Sequence, residues 1–185
     1  MQSNPIIQAE DKFGVDESTW IAKAQQGDQN AFHQLYLLHH RKVYALCFRM
    51  LADAGSAEDV CQEVFVQVWQ KIVNFRGESK FSTWLHSVAT HIVLSHIRKH
   101  KNWIQKVFSV EDQGMIEESA EMQGLSELDK HIMKLPERAR MVFILFAVEG
   151  YRHEEIASLL KMAVGSSKAQ YHRARQLLQE SLENE

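Results

Sequence analysis

Two stretches of this chain combine cations with residues able to touch nucleotides, and neither contains a carboxylate. From Ile156 to Gln179 the charged residues are Lys161, Lys168, Arg173 and Arg175, interspersed with Ser166, Ala169, Gln170 and His172. On a helix such cations meet phosphates or guanine edges, while small polar residues approach the bases. From Ser79 to Val110 the cations Lys80, Arg98, Lys99, Lys101 and Lys106 accompany the aromatics Phe81, Trp84 and Trp103. Unpaired bases stack on rings while positive charge follows the backbone, so this mixture suits melted DNA better than a closed duplex. The bland alternatives are a solvated basic face for the first stretch and core packing for many of the aromatics in the second, Trp84 above all.

Other chemistries find little support. His96 and His100, among ten histidines, lie four apart on one helix face, but no neighbouring Glu, Asp or Cys completes a ligand set, so no metal and no cofactor is expected. Cys47 and Cys61 lack CxxC or Cys/His spacing and read as buried free thiols in a reducing cytoplasm. No phosphate-binding glycine loop, paired-carboxylate site or nucleophile arrangement is present, which argues against an enzyme. Met1 to Lys12 has no leader pattern, and the longest apolar run, Met141 to Val148, is far below the roughly 20 residues of a membrane span. A cytoplasmic protein without membrane insertion is the expectation.

The elements that must carry these residues are helical. With 185 residues, 45% hydrophobic content, two prolines and eight glycines, the chain leaves long stretches for a 3.6-residue period. The formal charge of −3 hides a basic, acidic, basic order, because Val107 to Glu127 holds Glu111, Asp112, Glu117, Glu118, Glu121 and Glu127 without a Lys or Arg. The fold class read from this is all-α, two small helical domains joined by an acidic linker, the second one a helix-turn-helix.

In detail, a short helix is expected over Asp16 to Gln26, ended by Gly27, and a longer one capped by Asp28 and running through Leu51. Ser56 and Asp59 suggest a capping box for a helix carrying Val60, Val64, Val68 and Ile72 to about Asn74. A polar loop over Phe75 to Lys80 leads to a helix capped by Ser82 or Thr83 and reaching Trp103. The segment from Ser109 to Gly124 reads as a linker. Pro136 opens a helix closed by Gly150, and helices over His153 to Leu160 and Gly165 to Gln179 complete the helix-turn-helix. The resulting boundaries are a tail over 1–17, a helical domain over 18–105, the linker over 106–124 and the helix-turn-helix domain over 125–185.

Five fragments then carry a resemblance: Ala57-Glu58-Asp59-Val60-Cys61-Gln62-Glu63-Val64-Phe65, Phe75-Arg76-Gly77-Glu78, Phe81-Ser82-Thr83-Trp84-Leu85, Leu135-Pro136-Glu137-Arg138, and Glu149-Gly150-Tyr151-Arg152-His153-Glu154-Glu155-Ile156-Ala157. In this order and at these separations they resemble the extracytoplasmic-function (ECF) branch of the sigma-70 family, over roughly residues 18 to 182. The resemblance implies a polymerase specificity subunit that catalyses nothing itself. Asp59, Gln62, Glu63, Val66 and Trp69 would dock on core RNA polymerase. Phe75, Arg76, Gly77, Lys80, Phe81, Trp84, His91, Arg98 and Lys99 would melt and read the −10 element of promoter DNA. Ser166, Lys168, Ala169, Gln170, His172, Arg173 and Arg175 would read the −35 element as duplex. The acidic linker would thread near the active-site cleft, and an anti-sigma protein is an expected partner.

The chain also departs from the family pattern. His91 stands where the family usually has Asn, and Ser95 where Asp is common. Lys161 occupies the usual turn glycine, Ala163 replaces a capping hydroxyl, Ser167 departs from the usual run, and Gln170 replaces a cation. Two further function classes stay open on the sequence: a stand-alone helix-turn-helix regulator, and an interaction regulator that has lost DNA binding.

Overall fold

The protein is described here by a computed structural model covering residues 16–107 and 126–183, with side chains over 16–100 and 126–183. Among the described residues there is no strand. Asp16 accepts from Ser18 and opens α1 (Glu17–Gln25), and Asp28 accepts from the Asn30 and Ala31 amides to open α2 (Gln29–Leu51). Between them Gly27 takes φ +89°, a conformation that disfavours any residue with a Cβ.

Asp53 opens α3 (Ala54–Lys71), its Oδ2 accepting from the Ser56 amide at 2.7 Å. The Ser56–Asp59 capping box is therefore replaced by an earlier cap, and Gly55 and Ser56 lie inside the first turn. A 3₁₀ turn (Ile72–Asn74) ends this helix. The loop follows, and α4 (Phe81–Val107) begins with the Lys80 carbonyl accepting from the Trp84 amide. Ser82 and Thr83 thus sit in the first turn of α4 and do not cap it, and the helix overruns the expected end at Trp103.

These four helices enclose the first core. Leu35, Val43, Leu46 and Met50 of α2 meet Val60, Val64 and Val68 of α3 and Leu85, Ala89 and Val93 of α4. The four-residue recurrence on α3 is what lets one face close on both neighbours. Each fully buried Leu or Ile contributes about 2 kcal/mol. Phe32 and Tyr36 of α2 are half-buried, and His39 is buried.

The linker expected over Ser109 to Gly124 lies outside the described residues. The second helical unit contains a helix the sequence reading left out: α5 (Glu127–Met133), opened by a capping box between Ser126 and Asp129. Pro136 is the N-cap of α6 (Glu137–Phe143), one place before the first turn. Here α6 passes into a π-helical turn (Ile144–Val148) that Gly150 closes at φ +76°. Next come α7 (His153–Leu160) and α8 (Val164–Glu183). Ile132, Val142, Ile144, Leu145, Ile156 and Ala174 form its centre.

The two units touch. Arg49 of α2 holds Asp129 of α5 through two bonds, of 2.6 and 3.2 Å. Arg140, 7% exposed, donates to the carbonyls of Met133 and Leu135 and across to that of Met50.

Candidate nucleic-acid interface

The loop before α4 is fixed from behind. Gln25 of α1 donates its amide to the carbonyls of Ile72 and Phe75, at 3.0 and 2.8 Å, and Gly77 turns the chain at φ +72°. Arg76, Gly77 and Lys80 are thereby left exposed. Arg76 and Glu78 approach only to 3.9 Å with both side chains largely in water, so Arg76 stays available to a phosphate.

Phe75, Phe81 and Trp84 form a triangle of rings with centroids 5.2 to 5.6 Å apart. Their exposures divide the expected roles. Phe75 and Trp84 are half-buried and keep surface for a base, whereas Phe81 is 4% exposed and also packs on His39. The expectation that Phe81 contacts DNA is corrected by this burial, since a covered ring supports its neighbours and cannot stack on a nucleotide. Trp84, His91 and Arg98 recur every seven residues along α4 and so share one helix face, with Lys99 beside them. The His91 Nδ1–H donates to the Ser87 carbonyl at 2.7 Å, and the residue is exposed. Lys101, Trp103 and Lys106 lie beyond the described side chains.

In the second unit α7 and α8 meet at a tight turn. Lys161 adopts the left-handed conformation at φ 51°, ψ 53°, and the Met162 amide closes on the Ala157 carbonyl at 2.9 Å. Ser167, fully buried, exchanges a 3.0 Å hydrogen bond with His153 Nδ1. His153 in turn stacks on Phe146 at 4.3 Å, and Phe146 leans on Tyr171 at 4.6 Å. Ser167 thus sets the angle between the two helices, a role that its burial reveals and its place in the motif did not.

The opposite face of α8 points outward. Lys168 and Arg175 share one edge of its exposed arc, Ser166 and Arg173 the other, with Ala169 and His172 between and Gln170 half-buried. Such an arc places cations for the two flanking phosphate rows and a small residue over the bases.

A third surface is acidic. Asp59, Gln62, Glu63 and Val66 are exposed and share one face of α3 through their three- and four-residue spacings. Trp69 borders it, half-buried edge-on against Phe32 at 4.9 Å. Glu63 accepts from Gln67 at 3.0 Å.

Residues that sequence reasoning passed over lie between the units: Arg49, His86, Asp129, Arg140 and Glu149. Ser126-Glu127-Leu128-Asp129 carried a legible capping-box pattern, whereas nothing in the local sequence signals the pairings across the units. Burial opposes the charge on Asp129, yet the bonds from Arg49 and Ser126 together hold its carboxyl below the usual range. Among the described residues no three His, Cys, Asp or Glu are placed to hold a metal, and the His96 and His100 rings stack 6.4 Å apart. No described helix is long and apolar enough to cross a membrane.

Comparison with known proteins follows the same division. Residues 35–102 match the family Sigma-70 region 2, and residues 125–178 match Sigma-70, region 4. The chain is 31% identical to the ECF RNA polymerase sigma factor SigW of Bacillus subtilis, over 88% of this chain and 94% of that one. It is 30% identical to the RNA polymerase sigma-H factor of Pseudomonas aeruginosa, over 88% and 92% of the two chains. Among solved structures it resembles the sigma factor RpoE of Bartonella quintana in complex with the anti-sigma factor NepR, at a TM-score of 0.60, 26% identity and coverage of 82% and 96%. CnrH in complex with the cytosolic domain of CnrY shares the fold at a TM-score of 0.53 and 22% identity, over 91% and 98%. Two separate basic faces, an acidic face on α3 and this agreement along nearly the whole chain place the protein in the ECF branch of the sigma-70 family of RNA polymerase sigma factors.

Proposed function

We propose that the chain is a promoter-specificity subunit whose three surfaces divide the work of initiation. It binds core RNA polymerase through Asp59, Gln62, Glu63 and Val66, with Trp69 buttressing that face. It opens and reads the −10 element with the loop around Gly77, the half-buried rings of Phe75 and Trp84, and the α4 face bearing His91, Arg98 and Lys99. It reads the −35 duplex with α8. It performs no chemistry of its own and works in the cytoplasm, where polymerase and DNA are. The observation that carries the reading is the separation of charge: carboxylates collect on α3 while cations line the outward arc of α8, all exposed.

The solved relative RpoE of Bartonella quintana is a complex with the anti-sigma factor NepR, and a partner of that kind fits this chain as well. It would act by covering the same exposed surfaces. The departures at His91, Ser95 and Gln170 concern which bases are preferred and leave the surfaces in place.

Transcription reconstituted from core polymerase, this protein and a genomic fragment library is the direct test, with initiation at sites sharing a pair of upstream motifs as the expected result. Asp59→Lys with Glu63→Lys is expected to weaken core binding at least tenfold while helix content stays unchanged. Core binding unaffected by the double reversal would show that the α3 face has another use. Operator-like binding at nanomolar affinity without polymerase would instead favour a stand-alone regulator.

A further inference from the structure

The contact between the two helical units falls on a surface built for anions. Arg41, Lys42 and Arg49 from α2 and Ser82, Thr83 and His86 from the start of α4 line an open groove of about 800 Å³. The other wall belongs to the second unit and includes Glu149 and Gly150 at the end of the π turn. Two carboxylates of that unit engage Arg49 and His86. Asp129 takes both forks of Arg49, with a carboxylate only 9% exposed, and Glu149 Oε2 lies 2.8 Å from His86 Nδ1, its side chain 8% exposed. Arg41 and Lys42 remain exposed. Bidentate Arg–carboxylate geometry is also Arg–phosphate geometry, so a carboxylate in this place is the chemical stand-in for a backbone phosphate.

Distance adds a second argument, which rests on the sigma-factor reading. Elements named −35 and −10 are about 25 base pairs apart, roughly 85 Å at 3.4 Å per pair. A packed body of about 150 residues has a radius of gyration of about 15 Å, so units in contact cannot occupy both elements together.

We propose that the structure is a self-latched state: Asp129 and Glu149 of the second unit occupy a phosphate-binding shelf on the first, formed by Arg41, Lys42, Arg49, Ser82, Thr83 and His86, and DNA backbone takes the shelf when the units part. The same carboxylates that hold the latch closed thereby compete with nucleic acid for the groove. Arg140, bonded to Met50 across the seam, steadies the closed form without joining that competition.

The full-length chain carrying Gln70→Cys and Gln176→Cys tests the latch, because both positions are exposed while Cys47 and Cys61 are buried, so spin labels go to the new thiols. The parent should give a narrow distance distribution, and Asp129→Asn with Glu149→Gln should add a longer, broader component. His86→Glu should open the latch by like charge, and His86→Glu with Glu149→Lys should close it again, a rescue that simple misfolding would not give. Binding of a mixed-sequence 40-base-pair duplex, a length of about 136 Å at 3.4 Å per pair, should strengthen about tenfold in the opened double variant. Arg41→Gln, Lys42→Gln and His86→Gln in that background should then lower the salt slope by about 2. An unchanged distance distribution would overturn the latch, and an unchanged salt slope would overturn the shelf. The distance measurement needs neither polymerase nor promoter, so its failure is distinct from failure of reconstituted transcription.

Discussion

His39 is the side chain whose environment departs furthest from what its type suggests. It sits 4% exposed beneath α1, with Nε2 2.7 Å from Glu17 and its ring against Phe81. Burial pushes its pKa below the ordinary 6.5, outweighing the opposite pull of Glu17. Between the folded and unfolded values the unfolded chain binds more protons, so stability falls as pH drops from 6.5 toward the folded pKa. Denaturation midpoints from pH 8 to 5 should show this loss, and His39→Gln should flatten it. On α8 the exposed cations act one by one. Lys168→Ala and Arg173→Ala are each expected to weaken binding of holoenzyme to duplex −35 DNA across all sequences and to reduce the salt slope by about 1. Altered base preference without a salt effect would instead mean that these residues read base edges.

At the scale of elements, caps and turns decide where each functional helix begins. The Asp53 cap sets the register of α3 and so brings Asp59 and Glu63 to one face. Its carboxyl is held below the usual range by its bonds with Ser56, and Asp53→Ala should cost about 1 kcal/mol in chemical denaturation. Lys161 occupies a left-handed position at φ 51° that costs a residue with a Cβ about 1 kcal/mol, so Lys161→Gly is expected to raise stability by up to that amount. A lower melting temperature for the glycine variant would show that the lysine side chain compensates through contacts of its own. The periodic apolar stripes made nearly every helix legible. What stayed hidden was α5, seven residues long and therefore too short for a period to declare itself, although Ser126 and Asp129 announced its start. Local patterns likewise misplaced the cap of α3, because Asp53 and Ser56 are both good caps and only the packed register chooses between them.

Across the whole molecule, the two basic surfaces are carried by separate cores, and the polar seam between those cores uses other residues altogether. Arg49, His86, Asp129, Arg140 and Glu149 meet over sequence separations of 63 to 90 residues. Because Asp129 owes its lowered pKa in part to Arg49, acid should loosen the seam as the carboxylate is protonated, with the separation of the two units read by the same spin-label pair.

What the amino-acid order settled by itself was the helical class, the two-part organisation, the positions of the basic and acidic faces and the family to which they point. Those properties reside in periodicity, charge runs and motif spacing, all of which act over a few turns of helix. Tertiary packing alone decided that Phe81 is a support and not a contact, that Ser167 braces the helix-turn-helix, and that Arg49 and His86 meet carboxylates from the other half. Burial and long-range pairing depend on which surfaces come together in space, and no short stretch of chain encodes that.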